Sequence, residues 1–253
     1  MYLLESCAVA MSMYSKIPMP RVEWNEKNMK YAMCFFPVIG AVIGILEVLL
    51  GSLLLKSGAG KLFFAAAMTL LPVLVTGGIH LDGFMDTMDA VSSYGDREKK
   101  LAILKDSNSG AFAILGLGCY FLWSVAVWSE VTLDMLPVIG CGYVLSRSFS
   151  GFSIVTFQAA RNSGLAKTFQ DGAKRKNVRI TMMIYLFVFS GLVLWLNWVL
   201  GLVSLVVAAL VFLYYRLLCN RQFGGVTGDL AGYFLQLCEL AVLTGIVLAG
   251  RLL

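Results

Sequence analysis

The sequence predicts an all-α integral membrane protein: a helical bundle of about seven transmembrane helices with a short interfacial helix at the N-terminus. Hydrophobic residues make up 59% of the 253 residues and charged residues only 14%, whereas an ordinary soluble domain carries about 25% charged residues. Seven mostly apolar runs approach the roughly 20 residues that a transmembrane helix needs. Lys and Arg gather in alternate loops, as the positive-inside rule requires of a multi-pass protein.

The elements follow in order along the chain. Residues 1–20 lack a basic region ahead of their apolar run, and Glu5 interrupts that run. We therefore expect an interfacial helix that ends near Pro18 and not a signal peptide. No repeat or linker divides the chain, so we expect one domain over residues 1–253. The predicted spans are 33–55, 62–79, 111–129, 135–156, 180–197, 198–217 and 232–250.

The loops between these spans predict the orientation. With the N-terminus in the cytoplasm, the external loops contain only Lys56, Lys61 and Arg251. The other basic residues of the loops lie on the cytoplasmic side. The segments 80–110, 157–179 and 218–231 then share the cytoplasmic face. We expect the chemistry of the protein on that face.

The stretch GGIHLDGFMDTMDA, residues 77–90, holds the only histidine and three of the fifteen acidic residues. Read as a helix, it places Asp82, Asp86 and Asp89 within a sector of roughly 60°. Like charges at this spacing repel, and carboxylate oxygens suit Mg²⁺, which is usually held by one or two carboxylates plus substrate phosphates. The pattern predicts a metal–diphosphate site, with Gly83 leaving room for a ligand or a neighbouring helix.

A second interpretation is a solvated loop whose acids pair with Arg97 or Lys99. The helical register of the three aspartates argues against it, because a solvated loop needs no such register. His80 has two interpretations as well, a general base or phosphate donor and a structural histidine.

Two further patches fall on the same predicted face. In LKDSNSGAF, residues 104–112, Asp106 and Ser109 precede the third span; the Ser and Asn side chains there either cap that helix or belong to a phosphate site at its N-terminus. In GGVTGDLAG, residues 224–232, Asp229 is either part of a phosphate cradle or an acidic N-cap of the seventh span.

Arg147 lies inside the fourth predicted span. An arginine at that depth is by default a candidate for a functional site, here for substrate binding. The alternative is a structural ion pair with Glu47 or Glu239, which also lie in predicted spans.

TGGIHLDGFMDTMDA (76–90), LKDSNSGAFA (104–113) and GGVTGDLAG (224–232), in this order, resemble the cobalamin synthase family, the adenosylcobinamide-GDP ribazoletransferases. KIPMP (16–20) and RNSGLAKTF (161–169) fit more loosely. The resemblance implies an Mg²⁺-dependent enzyme of the bacterial or archaeal inner membrane. Such an enzyme joins adenosylcobinamide-GDP to alpha-ribazole, or to its 5′-phosphate, and releases GMP, which closes the nucleotide loop of vitamin B12.

Carried over by motif, the resemblance makes Asp82, Asp86 and Asp89 the metal-binding acids and puts Asp106 and Asp229 in the same site. The base that accepts the proton of the ribazole hydroxyl is Asp89 or His80. The corrinoid is bulky, so we expect a wide opening, with residues 157–179 and the N-terminal segment as its walls. The lipid bilayer is an expected partner and nucleic acid is not, and the sequence leaves a homo-oligomer open.

Two other function classes remain as alternatives. CDP-alcohol phosphotransferases also combine an Asp-Gly motif with a metal and a diphosphate, but here the expected Ala-Arg does not follow Asp82-Gly83 and no acid lies three residues before Asp82. A divalent-cation transporter would need polar groups at the membrane midplane, where only Glu47, Arg147 and Glu239 qualify, and an inverted repeat, which is not apparent.

Overall fold

The computed structural model describes residues 2–23 and 25–252, and within them the fold is entirely helical, with no β-strand. One isolated parallel bridge joins Ala159 to Val226. The helices are α1 (Tyr2–Tyr14), α2 (Glu26–Ala32), α3 (Phe36–Lys56), α4 (Lys61–Thr76), α5 (Ile79–Ser92), α6 (Arg97–Ile103), α7 (Ala111–Trp128), α8 (Leu136–Thr156), α9 (Leu165–Gly172), α10 (Arg175–Leu196), α11 (Trp198–Leu218) and α12 (Gly228–Gly250).

Six helical segments are long and apolar enough to cross a membrane: Lys27–Lys56, which includes α3, then α7, α8, α10, Trp198–Phe223, which includes α11, and α12. Helices α4 and α5 pass the same test only together, and they are bent by 98°, so counting the pair as one broken span gives seven. The predicted multi-pass helical bundle is confirmed. Alone, α5 has 14 residues and three aspartates, too few and too polar for a crossing, so we treat it as lying outside the spans.

Glycine and asparagine determine how these helices end. Gly77 and Gly78 adopt φ of +67° and +80°, a conformation that costs glycine little, and they allow the sharp turn between α4 and α5. Asn197 alone separates α10 from α11, as predicted, and its side chain accepts hydrogen bonds from the amides of Val199 and Leu200. The helix predicted for residues 80–90 is confirmed as α5.

Helix α8 lies at the centre of the bundle. Most of its residues are buried, whereas most residues of α10 and α11 face outward, as lipid-facing helices do. Helix α3 packs closely along α8, because Gly40 and Gly44 meet the backbone of Tyr143 and Gly140 with no room for a side chain. Small residues at such contacts are typical of helix pairs in membranes. Helix α12 packs against both α8 and α5, and the candidate site lies where α5 meets it.

Candidate active site at the crossing of α5 and α12

Helix α5 crosses the first turns of α12 at close range. A Cβ atom on Gly83 would fall 2.9 Å from Cα of Asp229 and 2.7 Å from its carbonyl oxygen. On the other helix, a Cβ atom on Gly232 would fall 3.0 Å from the carbonyl oxygen of His80. The prediction that Gly83 admits a neighbouring helix is therefore confirmed. The crossing brings the polar start of α5 beside Asp229.

Five aspartates gather around this crossing, and we call them the acidic cluster: Asp82, Asp86, Asp89, Asp106 and Asp229. Burial, followed by the charges of Asp82, Asp229, Asp89 and Asp106, raises the pKa of Asp86 to about 6. Within the part of the chain that the structure describes, none of the five forms an ion pair within 4.0 Å. Arg161 is near enough for its charge to act on Asp229 without forming an ion pair, and the cluster keeps an excess of negative charge.

Asp89 connects α5 to α7. Its two carboxylate oxygens accept hydrogen bonds from the backbone amides of Gly110 and Ala113, the latter at 2.9 Å. A carboxylate at a helix N-terminus satisfies free amides and opposes the helix dipole. The side chain predicted as a metal ligand or base thus also caps α7.

One prediction for the segment before α7 was that its Ser or Asn side chains cap the helix, and the structure shows another arrangement. Gly110 is the N-cap residue and provides no side-chain cap, so that prediction is wrong. Asp106 instead accepts two 2.9 Å hydrogen bonds from Asn108, one from its amide and one from its side chain. These bonds lower the pKa of Asp106. Asp106 and Ser109 are both exposed.

The entry to α12 also differs from the prediction of an acidic N-cap. Thr227 is the cap, and its hydroxyl accepts a 3.2 Å hydrogen bond from the amide of Leu230. The capping function is therefore met without Asp229. The Asp229 carboxylate remains available to a cavity that opens between the turn, α5 and the segment after α8.

This cavity has a volume of about 270 Å³. It is smaller than most pockets for drug-sized ligands, so it fits a phosphate-bearing group better than a whole corrinoid. Two residues of the acidic cluster, Asp82 and Asp229, line it together with His80. Tyr14, Arg161 and Lys167 line it as well and were not predicted as site residues. The sequence pointed to Arg161 and Lys167 only through the loose match of RNSGLAKTF and through the expectation that residues 157–179 form a wall.

His80 lies at the inner end of the cavity and is 4% exposed. Its ring stacks on Tyr14 at a centroid distance of 6.0 Å and meets Phe36 at 5.8 Å. Neither ring nitrogen has a hydrogen-bond partner among the described residues. Burial, followed by the charge of Arg147, lowers the pKa of His80 to about 3. The imidazole is therefore neutral and offers one donor and one acceptor.

Arg147 is buried inside the bundle, 1% exposed, and does not line this cavity. Its Nη1 atom lies 2.6 Å from a carboxylate oxygen of Glu239 and 3.1 Å from the carbonyl of Tyr143. Glu47 instead lies beside the Tyr143 hydroxyl, at 3.4 Å. Of the predicted alternatives, the structural ion pair is confirmed, with Glu239 as the partner.

The acidic cluster suits a hard cation in its ligand chemistry, because it offers only carboxylate oxygens. Among the described residues, no three His, Cys, Asp or Glu side chains are placed to hold one metal ion together. Mg²⁺ does not need such a set, since one or two carboxylates and substrate phosphates commonly complete its shell. The residues therefore fit a magnesium ion that is held jointly with a phosphate ligand.

Comparisons with known proteins identify the family of the chain. Residues 6–247 match the family described as cobalamin-5-phosphate synthase. An adenosylcobinamide-GDP ribazoletransferase of Lachnoclostridium phytofermentans is 46% identical over 97% of this chain and 94% of its own length. Proteins of the same name are 35% identical in Clostridium perfringens, over 96% of both chains, and 37% identical in Pseudomonas syringae pv. syringae, over 88% of this chain and 90% of their own.

No solved structure matches the chain. The match to the family nevertheless covers nearly the whole sequence, including α5, the segment before α7 and the first turns of α12, whose residues build the acidic cluster. The chain belongs to the cobalamin-5-phosphate synthase family.

Proposed function

We propose that this multi-pass membrane protein is an Mg²⁺-dependent transferase. It joins adenosylcobinamide-GDP to alpha-ribazole, or to its 5′-phosphate, and releases GMP in the nucleotide-loop step of cobalamin biosynthesis. One observation carries the proposal: the acidic cluster, without a protein cation within ion-pair distance among the described residues, beside a cavity of phosphate-binding size. The family and the names of the relatives supply the identity of the substrates.

The acidic cluster has a defined task in this reaction. Asp82 and Asp86 would hold Mg²⁺, with Asp229 facing it from α12. The bound ion would supply charge neutralisation at the diphosphate and at the departing GMP. Because phosphoryl transfer depends mainly on positioning and electrostatic stabilisation, the rigid crossing of α5 and α12 at Gly83 contributes by fixing the distance between these carboxylates.

The other site residues position groups in our proposal. Asp89 anchors α5 to α7 and adds negative charge. His80 is the buried hydrogen-bonding group at the inner end of the cavity. Its low pKa makes it a weak proton acceptor, so we favour Asp89, the other predicted candidate, for the hydroxyl proton. Asp106 and Ser109 lie exposed in the segment before α7, and in this proposal they contact the substrate there.

The site is proposed to face the cytoplasm of a bacterial or archaeal cell. The basic residues after α5, after α8 and after α11 support this orientation by the positive-inside rule. The cavity is too small for the corrinoid ring, so the ring would lie outside it, against the exposed residues Asn162 and Ser163 and the rim beside α6.

The direct test is product analysis. Purified protein in detergent is incubated with adenosylcobinamide-GDP, alpha-ribazole and Mg²⁺, and the corrinoid product is identified by mass spectrometry. The proposal predicts adenosylcobalamin when alpha-ribazole is supplied and its 5′-phosphate when alpha-ribazole 5′-phosphate is supplied. Recovery of unchanged adenosylcobinamide-GDP from folded protein would contradict it.

A further inference from the structure

The wall of the cavity opposite the aspartates is basic, and the backbone holds it in place. Residues 158–160 pair with Val226: the amide of Val226 donates to the carbonyl of Gln158 at 2.8 Å, and the amide of Ala160 donates to Val226 at 3.0 Å. Gly225 makes this approach possible, because a Cβ atom there would collide with the backbone of residues 158–160. Arg161, the next residue, is thereby fixed beside the entry to α12.

The guanidinium of Arg161 is held at one nitrogen only. Its Nη2 donates a 2.8 Å hydrogen bond to the carbonyl of Leu101 in α6. Its Nε is buried and has no hydrogen-bond partner among the described residues. Among the described carboxylates, none lies within 4.0 Å of its nitrogens. A partly buried guanidinium with free donors is an anion site that the protein leaves incomplete.

The rest of the cavity supports the same conclusion. Lys167 lines it and is tethered by a 2.8 Å ion pair to Asp171. Asp82 and Asp229 line it too, and His80 ends it with two unpaired nitrogens at 4% exposure. The cavity thus contains oxygen ligands for a cation together with cationic donors for an anion. A metal–diphosphate needs both, since its metal takes carboxylates and its remaining oxygens take guanidinium N–H groups.

We propose that Arg161 binds a phosphate oxygen of the nucleotide diphosphate directly, through its free Nη hydrogens, with Lys167 as the second cation of the same wall. The inference rests on the proposed function and adds a binding residue to it. Arg161 would orient the diphosphate against the acidic cluster, and its bond to Leu101 would keep the guanidinium aimed into the cavity. Loss of this bond to phosphate should weaken nucleotide binding more than it slows turnover at saturation.

The test measures binding of GDP to the full-length protein in detergent by titration calorimetry with saturating Mg²⁺. Charge-assisted hydrogen bonds contribute enough that Arg161→Gln should weaken GDP binding about ten-fold or more. Arg161→Lys, which keeps the charge and loses the fork, should fall between Arg161→Gln and the wild type. Lys176→Gln is the matched control, because Lys176 is an exposed basic residue of α10 away from the cavity, and its affinity should stay within about two-fold.

Melting temperatures and kinetics distinguish a role of Arg161 in ligand binding from a role in holding α6 in place. A wild-type melting temperature with weakened GDP binding supports the proposal, as does a raised KM for adenosylcobinamide-GDP with an unchanged KM for alpha-ribazole. A lowered melting temperature with unchanged GDP affinity would show that Arg161 only braces α6 and would overturn it. If Arg161→Gln does not fold, Arg161→Lys decides alone, and affinity equal to that of the wild type overturns the proposal.

The proposed function is judged separately, by the products that the wild-type protein makes. Wild-type protein that forms the cobalamin product while Arg161→Gln binds GDP normally would remove the role of Arg161 and leave the function standing. Wild-type protein that binds GDP through Arg161 but forms no product would do the reverse.

Discussion

Two groups of charged side chains in this protein differ in whether their charges are paired. Inside the bundle, Arg147 and Glu239 form a 2.6 Å ion pair, and their side chains are 1% and 9% exposed. At the crossing of α5 and α12, the acidic cluster has no protein cation within ion-pair distance among the described residues, and two of its members line an open cavity. The first set is complete within the chain and the second is not.

The difference distinguishes charges that stabilise the fold from charges that serve the proposed reaction. A buried ion pair is stable only when both partners remain, because either one alone leaves an uncompensated charge. The charges of Asp82, Asp229, Asp89 and Asp106 raise the proton affinity of Asp86, and a cation and a phosphate-bearing ligand would relieve that repulsion. We therefore expect substitutions in the ion pair to lower stability and substitutions in the acidic cluster to lower activity.

The largest effect is expected for Asp82→Asn and Asp86→Asn. Each removes a proposed ligand of the metal, and loss of such electrostatic stabilisation typically costs about 10²–10³-fold in rate. The melting temperature should stay equal or rise, because one repulsive charge is gone. GMP release by the purified variants measures the first effect, and a thermal melt in detergent measures the second.

Glu98→Gln serves as the control for these variants, since Glu98 is an exposed acid of α6 outside the cavity. It should release GMP at the wild-type rate. Normal turnover of both Asp82→Asn and Asp86→Asn would remove the metal-site argument.

The next largest effect is expected for Arg147→Met and for Glu239→Gln. Each leaves its partner charged and unpaired inside the bundle, a change that costs about 3–5 kcal/mol in buried pairs. The double variant should melt at a higher temperature than Arg147→Met, because no unpaired charge remains. A thermal melt of all three proteins is the measurement. If the variants melt like the wild type but bind substrate weakly, Arg147 binds substrate and the structural account is contradicted.

Gly83→Ala should have a smaller effect on both stability and activity. The added methyl group would lie 2.7 Å from the carbonyl oxygen of Asp229, so α5 and α12 must separate, at a cost of about 1–3 kcal/mol. Turnover should fall because the aspartates on the two helices move apart. Gly118→Ala in α7 is the control, since nothing lies within 4 Å of its Cβ position, and it should be neutral or stabilising. Equal behaviour of the two variants would disprove the close crossing.

Among the substitutions that lower stability, the smallest loss is expected for Asp89. Asp89→Ala removes both acceptors for the α7 amides, and loss of a helix cap costs about 1 kcal/mol. Asp89→Asn keeps one acceptor oxygen and should retain more of the stability. The rate of GMP release tests whether Asp89 is the base. If it is, Asp89→Asn should lose as much GMP release as Asp82→Asn, whereas His80→Gln should keep most of it. A larger loss for His80→Gln would assign the base to His80.

Much of the fold was predictable because its signals are local. The apolar runs and the basic loops predicted the spans, and the spacing of Asp82, Asp86 and Asp89 predicted that α5 is a helix with an acidic face. For Arg147, the sequence indicated a partner but left two candidates, Glu47 and Glu239. The choice depends on the register of α12 and α3 along α8, which no local pattern encodes.

The composition of the site was less predictable, because it depends on contacts between distant segments. Asp89 caps a helix that begins 22 residues further along the chain, and that contact replaced the expected caps from Ser107, Asn108 or Ser109. Tyr14 and Arg161 reach the cavity only through the placement of α1 and through the backbone pairing at Val226. A basic residue in a loop otherwise reads only as a determinant of orientation.

The central claim is that the acidic cluster works with an added cation on a diphosphate, and GMP release tests it most directly. Purified protein would be given adenosylcobinamide-GDP and alpha-ribazole, with Mg²⁺ in one sample and EDTA in the other. The account predicts GMP and a cobalamin product with Mg²⁺, and neither with EDTA, at an unchanged fold. Equal GMP release in both samples would contradict it, as would no release from folded protein with Mg²⁺ or Mn²⁺.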